Sequence, residues 1–309
     1  MTRKPKIHAP IRYPFDNILK VIASEQRPLV RILPTRPFLK WVGGKRSILS
    51  ELTTRLPEKY NKYYEPFVGG GALFFTTQPE KAYLSDMNFH LIITFQVVRD
   101  SVDLLIHQLK THTKKHNKTY YYKAREKMFA ERDNVKIASL FIYLNKTCFN
   151  GLYRVNKQGG FNVPMGNYKN PAILDEDNLR NCSKVLKGRE IKQHDFTQIN
   201  PVKDSFYYLD PPYHKTYNGY NGRGFGDDKH KELARFCHAI NKKGGYFMLS
   251  NSDTPLVRKL YKGYTIEVVE SSRTISCKGA QRGKANELII RNYESKKDNK
   301  QRKTSKTHR

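Results

Sequence analysis

The most specific chemical pattern in the sequence is a carboxylate followed by two prolines and an aromatic residue, Asp210-Pro211-Pro212-Tyr213. An apolar run at residues 207–209 precedes it, so the pattern begins where a predicted β-strand ends. The prolines fix φ and supply no N–H donor, so they hold the Asp210 carboxylate and the Pro211 carbonyl as two rigid acceptors. Two such acceptors match the two N–H groups of a nucleobase amine, on whose ring Tyr213 could stack.

Hydrogen bonds to both N–H groups would change the reactivity of such an amine. Its lone pair is normally delocalised into the base. The two acceptors would draw the nitrogen toward sp³ geometry and direct the lone pair at an electrophile. The pattern therefore predicts group transfer to a nucleobase amine, and the alternative is a proline-rich turn that carries a buried Tyr213.

A glycine turn between a predicted strand and a predicted helix gives a second functional signal. Residues 63–68 are aromatic and apolar, three glycines follow at residues 69–71, and a helix begins near Ala72. Asp86 ends the next predicted strand, where its carboxylate can accept hydrogen bonds from ribose hydroxyls. The G-x-G-x-x-G spacing of a pyrophosphate binder is absent. This favours an adenosine cofactor without pyrophosphate, such as S-adenosylmethionine, and a tight turn beside a surface aspartate is the alternative.

Strands and helices alternate over much of the chain. Strand patterns occur at residues 63–68, 82–85, 207–209, 246–249, 265–269 and 287–290. One helical face, which stops at a pair of glycines, is marked by Leu233, Phe236, Cys237 and Ile240. The alternation predicts an α/β fold with a doubly wound parallel sheet and an antiparallel edge near the C-terminus.

The pattern changes over residues 93–172. A stretch dense in Lys and Tyr at residues 110–127 leads into helical spacing at residues 137–144. Residues 150–164 then favour a β-hairpin with a glycine turn. We interpret this interval as an inserted module.

The chain is strongly basic, with 57 Lys and Arg against 28 Asp and Glu among 309 residues and a formal net charge of +29. The excess is present at both ends and also in the body between them, which favours phosphate contacts with nucleic acid. Solubility and an anionic membrane surface are the alternatives. A hydrophobic fraction of 38% excludes wholesale disorder, and no apolar run is long enough for a membrane helix or a secretory signal.

Cysteine and histidine predict no metal site. The four cysteines lie far apart without a C-x-x-C pair, which favours reduced residues in the core. His107, His112 and His116 stand in a Lys-rich run, and we interpret them as part of a solvated basic face rather than a zinc site.

Seven stretches extend the two chemical patterns, at residues 38–45, 65–71, 84–88, 149–154, 161–164, 210–213 and 273–276. Together and in this order they resemble the motifs of the DNA adenine methyltransferase (Dam) family. The resemblance implies a Rossmann-like S-adenosylmethionine-dependent methyltransferase sheet with an inserted, mainly helical DNA-recognition domain that bears the β-hairpin. It implies a catalytic domain at 37–92 and 173–294, a target-recognition domain at 93–172, a basic N-terminal extension at 1–36 and a basic disordered tail at 295–309.

The resemblance also implies roles for individual side chains, none of which binds a metal. The catalytic set would be Asp210, Pro211, Pro212 and Tyr213. The cofactor S-adenosylmethionine would contact Trp41, Lys45, Phe67, Gly69, Gly71, Asp86, Asp195, Phe196 and Asp210. DNA would be read at GATC by Lys40, Asn150, Leu152, Arg154 and Pro164, with Phe149 filling the space left by a flipped base. These residue types suit the task, because Arg can bind guanine bidentately and Leu and Pro can pack on a thymine methyl group.

We therefore expect a site-specific enzyme that transfers the methyl group of S-adenosylmethionine to N6 of a flipped adenine in double-stranded DNA, within GATC. The alternatives are the same chemistry on RNA or on cytosine N4, and a catalytically dead nucleic-acid-binding module. We expect a monomer in the cytoplasm, associated with the nucleoid and without a membrane partner. A restriction endonuclease is a candidate partner in the cell.

Overall fold

The computed structural model describes residues 32–156, 158–215, 225–272, 284–295 and 298. The chain divides into two units, Met1–Leu33 and Pro34–Arg309. All the elements described below belong to the second unit.

Within these residues, seven strands form one sheet. The strands are β1 (Lys62–Glu65), β2 (Ala82–Ser85), β3 (Glu190–Lys192), β4 (Ser205–Leu209), β5 (Tyr246–Ser252), β6 (Thr265–Ser272) and β7 (Lys284–Arg291). Their order is β3-β2-β1-β4-β5-β7-β6, parallel from β3 to β5, with β7 antiparallel to both β5 and β6. The predicted parallel sheet with an antiparallel C-terminal edge is confirmed.

The central strands are recognisable in the sequence because both of their faces are covered. Every residue of β4 is buried, and strands buried on both faces have continuous apolar runs. On one face, the rings of Tyr64 in β1 and Tyr207 in β4 stack with centroids 4.5 Å apart. Strand β3 was not predicted, since it has three residues of which only Ile191 is buried.

The helices in the described part of the chain surround this sheet. They are α1 (Leu49–Thr53), α2 (Ala72–Thr77), α3 (Phe89–Asp100), α4 (Val102–Lys115), α5 (Lys118–Lys127), α6 (Asn134–Thr147), α7 (Glu176–Leu186), α8 (Asp227–Lys242) and α9 (Pro255–Leu260). Short 3₁₀ helices occur at Lys45–Ile48, Phe149–Gly151 and Phe196–Gln198. Helix α8 buries the predicted face against the sheet, with Leu233 and Cys237 fully covered.

Helices α4, α5 and α6 lie between β2 and β3 in the sequence and form most of the inserted region. The expected boundary at residue 93 falls inside α3, a continuous helix that contacts both α6 and α7, and the division into domains stays a prediction. The predicted hairpin is present at the end of the insertion. It is closed by bridges between Cys148 and Met165 and between Val155 and Phe161.

Both expected terminal segments are shorter than the sequence suggested. Arg36 was assigned to the N-terminal extension, but its N–H donates to Asn178 Oδ1 at 3.0 Å and its guanidinium pairs with Asp175. Ser295 was assigned to the disordered tail, but it is buried and its N–H donates to Asp298. Asp298 pairs in turn with the buried guanidinium of Arg291 at 2.9 Å, so Ser295 and Asp298 are held by the folded body.

His112 corrects the interpretation of the histidine run as solvated. It is buried and its ring nitrogens contact the Tyr120 hydroxyl at 2.8 Å and the Ser139 hydroxyl at 3.2 Å. Burial lowers its pKa to about 4, so the ring is neutral. Cys148, Cys182 and Cys237 are buried free thiols, as predicted, whereas Cys277 lies outside the described residues.

Neither a membrane helix nor a metal cluster occurs in the part of the chain that is described. The helices there are too short or too polar to cross a bilayer. No group of three or more His, Cys, Asp or Glu side chains in the described ranges is arranged to hold a metal ion.

Candidate active site

The carboxyl ends of β1, β2 and β4 place the two predicted chemical patterns at one edge of the sheet. Strands β1 and β2 run parallel with Glu65 opposite Leu84, and β1 and β4 run parallel with Tyr64 opposite Tyr207. The glycine turn after β1, Asp86 after β2 and Asp210 after β4 are therefore neighbours. The strand order reverses between β1 and β4, and open α/β sheets bind ligands at such a point.

Asp86 closes the glycine turn through its carboxylate. Its Oδ2 accepts from the Gly69 N–H at 3.2 Å, and its Oδ1 accepts from the Asn88 N–H at 3.0 Å. Burial raises the Asp86 pKa to about 6, although these backbone hydrogen bonds lower it. The carboxylate is thus fixed in orientation and keeps acceptor sites that fit a pair of ribose hydroxyls.

Trp41 forms a wall against the glycine turn. Gly69 has a φ of +46°, and a Cβ there would lie 2.7 Å from Trp41 Cδ1. A Cβ on Gly70 would lie 3.3 Å from the Trp41 Cβ, and Gly71 has a φ of +67° as the N-cap of α2. Only glycine allows this turn to follow the indole so closely. On its other side Trp41 stacks on Tyr153 of the hairpin, with ring centroids 6.0 Å apart.

Phe67, Asp195 and Phe196 lie together beside the turn. The Phe67 and Phe196 rings are 5.6 Å apart, and Phe196 is buried in the core. Asp195 caps the short 3₁₀ helix by accepting from the Thr197 N–H at 2.9 Å. The predicted cofactor residues are therefore close to one another. Phe196 supplies packing, whereas Asp195 supplies a partly exposed carboxylate.

Asp210 forms an ion pair with Lys45, whose Nζ lies 2.9 Å from Asp210 Oδ1. The Lys45 ammonium also donates to the Gly43 carbonyl at 2.6 Å and lies 4.7 Å from the centre of the Tyr213 ring. Burial raises the Asp210 pKa to about 6, and the attraction of Lys45 lowers it. The sequence had assigned Lys45 to the cofactor pocket. The structure places its charge between the Asp210 acceptor and the Tyr213 ring.

Tyr213 is fixed by its hydroxyl, which donates to Glu287 Oε2 on β7 at 2.7 Å. Pro211 is buried and Pro212 is exposed, so the chain passes from the buried end of β4 to the surface at these two residues. Glu287 was missed by the sequence reasoning. It stands in a predicted strand, and nothing in the sequence shows which ring that strand faces.

Glu65 is a second buried carboxyl group that the sequence reasoning left unassigned. The Tyr63 hydroxyl donates to it at 2.7 Å, and burial raises its pKa to about 8, with a further increase from the charge of Asp210. Glu65 is consequently neutral at neutral pH. A neutral Glu65 adds no further negative charge to that of Glu287, which already raises the Asp210 pKa.

The predicted DNA-contacting residues occupy adjoining loops at the end of α6. Asn145 joins two of these loops, because its side chain accepts from the Lys40 N–H at 2.8 Å and donates to the carbonyls of Lys40 and Gly151. The Phe149 N–H donates to the Pro164 carbonyl at 2.9 Å, and the Phe149 side chain is 48% exposed. Asn145 was missed, since one asparagine within an apolar helix gives no sign of its partners.

Two of the remaining predicted readers are exposed. Arg154 lies on the hairpin, where its Nε donates to Asn162 Oδ1 at 2.7 Å and so fixes one edge of the guanidinium. Asn150 is exposed and has a φ of +53°. Leu152 is partly buried. The motif at residues 273–276 lies outside the described residues.

Comparison with known proteins gives a consistent result. Residues 41–275 match the family model described as D12 class N6 adenine-specific DNA methyltransferase. A Type II methyltransferase, M.MjaIII of Methanocaldococcus jannaschii, is 43% identical over 289 residues, which cover 84% of this chain and 100% of that protein. A DNA adenine methylase of Vibrio cholerae serotype O1 is 36% identical over 263 residues, which cover 82% of this chain and 95% of that protein. M.CviBI of Paramecium bursaria Chlorella virus NC1A, a Type II methyltransferase, is 32% identical over 84% of this chain and 100% of its own.

The contact between Gly69 and Trp41 can be tested by fluorescence, because Trp41 is the only tryptophan in the chain. Gly69→Ala adds a Cβ that must displace the indole, so we expect a shift in the Trp41 emission maximum and a weaker glycine turn. Gly159→Ala is the matched control, since Gly159 has a φ of +82° but nothing within 4 Å of a Cβ. Both variants carry the cost of a positive φ, about 1 kcal/mol. An unchanged emission spectrum in Gly69→Ala would contradict the close contact.

Proposed function

The chain belongs to the D12 class of N6 adenine-specific DNA methyltransferases, and on this basis we propose that it methylates adenine N6 within duplex GATC after extruding the base from the helix. The observation that carries the proposal is the desolvated Asp210 carboxylate at the end of β4, paired with an ammonium that also contacts the Tyr213 ring. Asp210 lies at the same edge of the sheet as the glycine turn, and shares the Lys45 ammonium with a ring that can stack on a base. This is the geometry that an exocyclic amine requires.

The glycine turn and its neighbours fit S-adenosylmethionine, which supplies an electrophilic methyl group when it is bound. Asp86 would accept hydrogen bonds from the ribose. The backbone of Gly69 and Gly71 would allow the cofactor to approach closely, with Trp41 behind the turn. Phe67, Asp195 and Phe196 would flank the adenine. The fit rests on the orientation of the Asp86 carboxylate and on the absence of any side chain in the turn.

Asp210 then orients the amine rather than removing its proton. With the carboxylate and the Pro211 carbonyl accepting the two N–H groups, the lone pair points out of the base plane. Transfer becomes mainly a matter of alignment, with the nitrogen about 3 Å from the carbon it attacks. The bond between the methyl carbon and the sulfonium sulfur would break as the bond to nitrogen forms, leaving a neutral thioether. The cationic nitrogen can then lose its proton to solvent, so no separate base is needed.

The Lys45 ammonium must move away from the face of the Tyr213 ring when the base enters. Its ammonium contacts both Asp210 and the Tyr213 ring, which are the two groups that would hold the adenine. While the pocket has no base in it, the ammonium offsets the buried negative charge. The amine then adds a second partner to Asp210, while the ammonium stays near enough to keep the carboxylate ionised.

Extrusion of the base costs a few kcal/mol, and contacts with the duplex must supply it. The strongly basic chain would provide phosphate contacts, and the exposed Phe149 ring would fill the vacated space. Arg154 would bind guanine O6 and N7 through the guanidinium edge that Asn162 leaves open, and Leu152 and Pro164 would pack on a thymine methyl. Lys40 and Asn150 complete the proposed set of readers.

The remaining biological assignments are also proposals. We propose that residues between α3 and α7 act as the target-recognition domain and that the rest of the body is catalytic. We further propose that the enzyme acts as a monomer, with a restriction endonuclease as a candidate partner in the cell. The ion pair of Asp210 and the fixed Tyr213 support an active enzyme over a binding module that has lost its activity.

The target sequence can be tested with unmethylated plasmid. Incubation with the protein and S-adenosylmethionine should protect the plasmid from a GATC-cleaving nuclease that N6-methyladenine blocks. Protein lacking the Asp210 carboxylate serves as the control for protection by bound protein alone. Complete cutting of plasmid that has nevertheless incorporated labelled methyl groups would show that the target is another sequence.

Substitution of Asp210 should separate catalysis from binding. Asp210→Ala removes an ionised acceptor from the amine, and we expect methyl transfer to fall by at least about 10²–10³-fold, as for the loss of other charge-oriented contacts. Duplex affinity should change little, because the phosphate contacts lie elsewhere. Tritium transfer and filter binding on the same preparation measure both quantities. Asp100→Ala, which removes an exposed carboxylate on α3, is the control, and substantial residual transfer in Asp210→Ala would refute the role.

Acid should slow methyl transfer through Asp210. Its pKa is raised to about 6, so the group is protonated below that pH and loses acceptor capacity. We expect the single-turnover rate to be constant near pH 7–8 and to fall by about tenfold per unit below pH 6. Because Asp86 also titrates near pH 6, cofactor affinity must be measured at each pH and kept saturating. A rate that stays flat to pH 5 would contradict the role of the ionised carboxylate.

A further inference from the structure

His214 directly follows the catalytic tyrosine and is fixed at both backbone groups. Its N–H donates to Asn251 Oδ1 at 3.1 Å, and its carbonyl accepts from the Ser252 hydroxyl at 2.7 Å. Both partners are buried near the carboxyl end of β5. The chain that leaves β4 is thereby tied to the neighbouring strand at the residue after Tyr213.

The His214 ring makes two further contacts and is 7% exposed. Nε2 lies 3.0 Å from Asp227 Oδ1, and Nδ1 lies 2.8 Å from Thr254 Oγ1. A carboxylate oxygen only accepts, so Nε2 carries a proton that it donates to Asp227, and Nδ1 shares a hydrogen bond with the Thr254 hydroxyl. All polar groups of this residue are therefore used.

The partners of His214 belong to three different elements. Asp227 is the first residue of α8, and Thr254 is the N-cap of α9, where its side chain accepts from the Val257 N–H at 3.4 Å. Through Asp227, Thr254 and the contacts to β5, His214 connects the end of the catalytic segment to α8, α9 and β5.

The backbone immediately after His214 is strained. Lys215 has a φ of +59°, in the left-handed region that costs a residue with a side chain roughly 1–2 kcal/mol. A strained turn persists only where its surroundings fix it. The four hydrogen bonds of His214 supply that constraint, and a looser turn would release Tyr213 at its backbone.

Tyr213 is consequently held at two points, by its hydroxyl on Glu287 and by the backbone of the next residue. We propose that His214 is a positioning residue that sets the plane of the Tyr213 ring for capture of the extruded adenine. The proposal rests on the proposed function, because it concerns the same pocket. It assigns the specific task of holding the stacking surface to a side chain that does not touch the substrate.

This role has a signature that general structural support lacks. The observed rate depends on how much of the base is captured and on how fast the captured base reacts. A misplaced Tyr213 ring lowers capture. An abasic site opposite the target adenine removes the base pair and part of the extrusion cost, so it should restore capture. It would not restore a reaction step that is itself misaligned, or an enzyme that is partly unfolded.

The experiment compares His214→Ala with His214→Gln in the full chain, using S-adenosylmethionine and a GATC duplex. In Gln the terminal amide reaches about as far as Nε2 and keeps a donor for Asp227. We expect kcat to fall by at least tenfold in His214→Ala and by less in His214→Gln. KM for the duplex and the cofactor dissociation constant should stay within threefold of the wild type, and the abasic duplex should restore most of the lost rate.

Asn178→Ala is the matched control, because it also removes a buried polar side chain with two hydrogen bonds, on α7 and outside the proposed recognition domain. It should lower the melting temperature while leaving kcat within about twofold. The proposal is overturned if folded His214→Ala keeps kcat within twofold, or if the abasic duplex fails to restore its rate. Should His214→Ala not fold, the rates of His214→Gln on the intact duplex and on the abasic duplex decide the proposal by the same criteria. If the wild type methylates no adenine in any duplex, the proposed function fails instead.

Discussion

A carboxylate that must be buried and yet remain charged is the constraint on which this site depends. Burial alone would leave Asp210 protonated, and a protonated acid cannot accept two hydrogen bonds as well as its anion. The chain meets this constraint with one positive neighbour, Lys45, and one acid that stays neutral, Glu65. Because the raised pKa favours the protonated form in the folded state, ionised Asp210 lowers stability at neutral pH. The site is maintained by the packing of the sheet below it.

The segment at residues 38–45 contacts the glycine turn, the loops that carry the predicted DNA readers, and Asp210. Trp41 lines the glycine turn on one side and stacks on Tyr153 of the hairpin on the other. Lys40 is held by Asn145, which also holds the loop that carries the predicted DNA readers. Lys45, the last residue of the segment, forms the ion pair with Asp210. A displacement of this segment would therefore change the cofactor turn, the reading loops and the charge of the acceptor together.

The sequence predicted those features that strand ends and glycine spacing encode. Asp86 and Asp210 could be placed because each follows a buried strand, and parallel strands bring their carboxyl ends together. Contacts between distant segments could not be predicted. Nothing in the local pattern shows that Lys45 faces Asp210 or that Glu287 holds Tyr213. The termini were misjudged for a similar reason, since polar composition near residues 36 and 298 does not reveal a buried partner elsewhere.

The ion pair between Arg291 and Asp298 determines how this protein can be shortened. Arg291 is fully buried in β7 and pairs with Glu267 on β6 and with Asp298 beyond the strand. Without Asp298, Arg291 would still pair with Glu267, so the loss would be smaller than the roughly 3–5 kcal/mol that a fully uncompensated buried charge costs. A truncation for crystallisation that stops before residue 298 would remove Asp298. An affinity tag or fusion joint is better tolerated after residue 298, because the pair of Arg291 and Asp298 then stays intact.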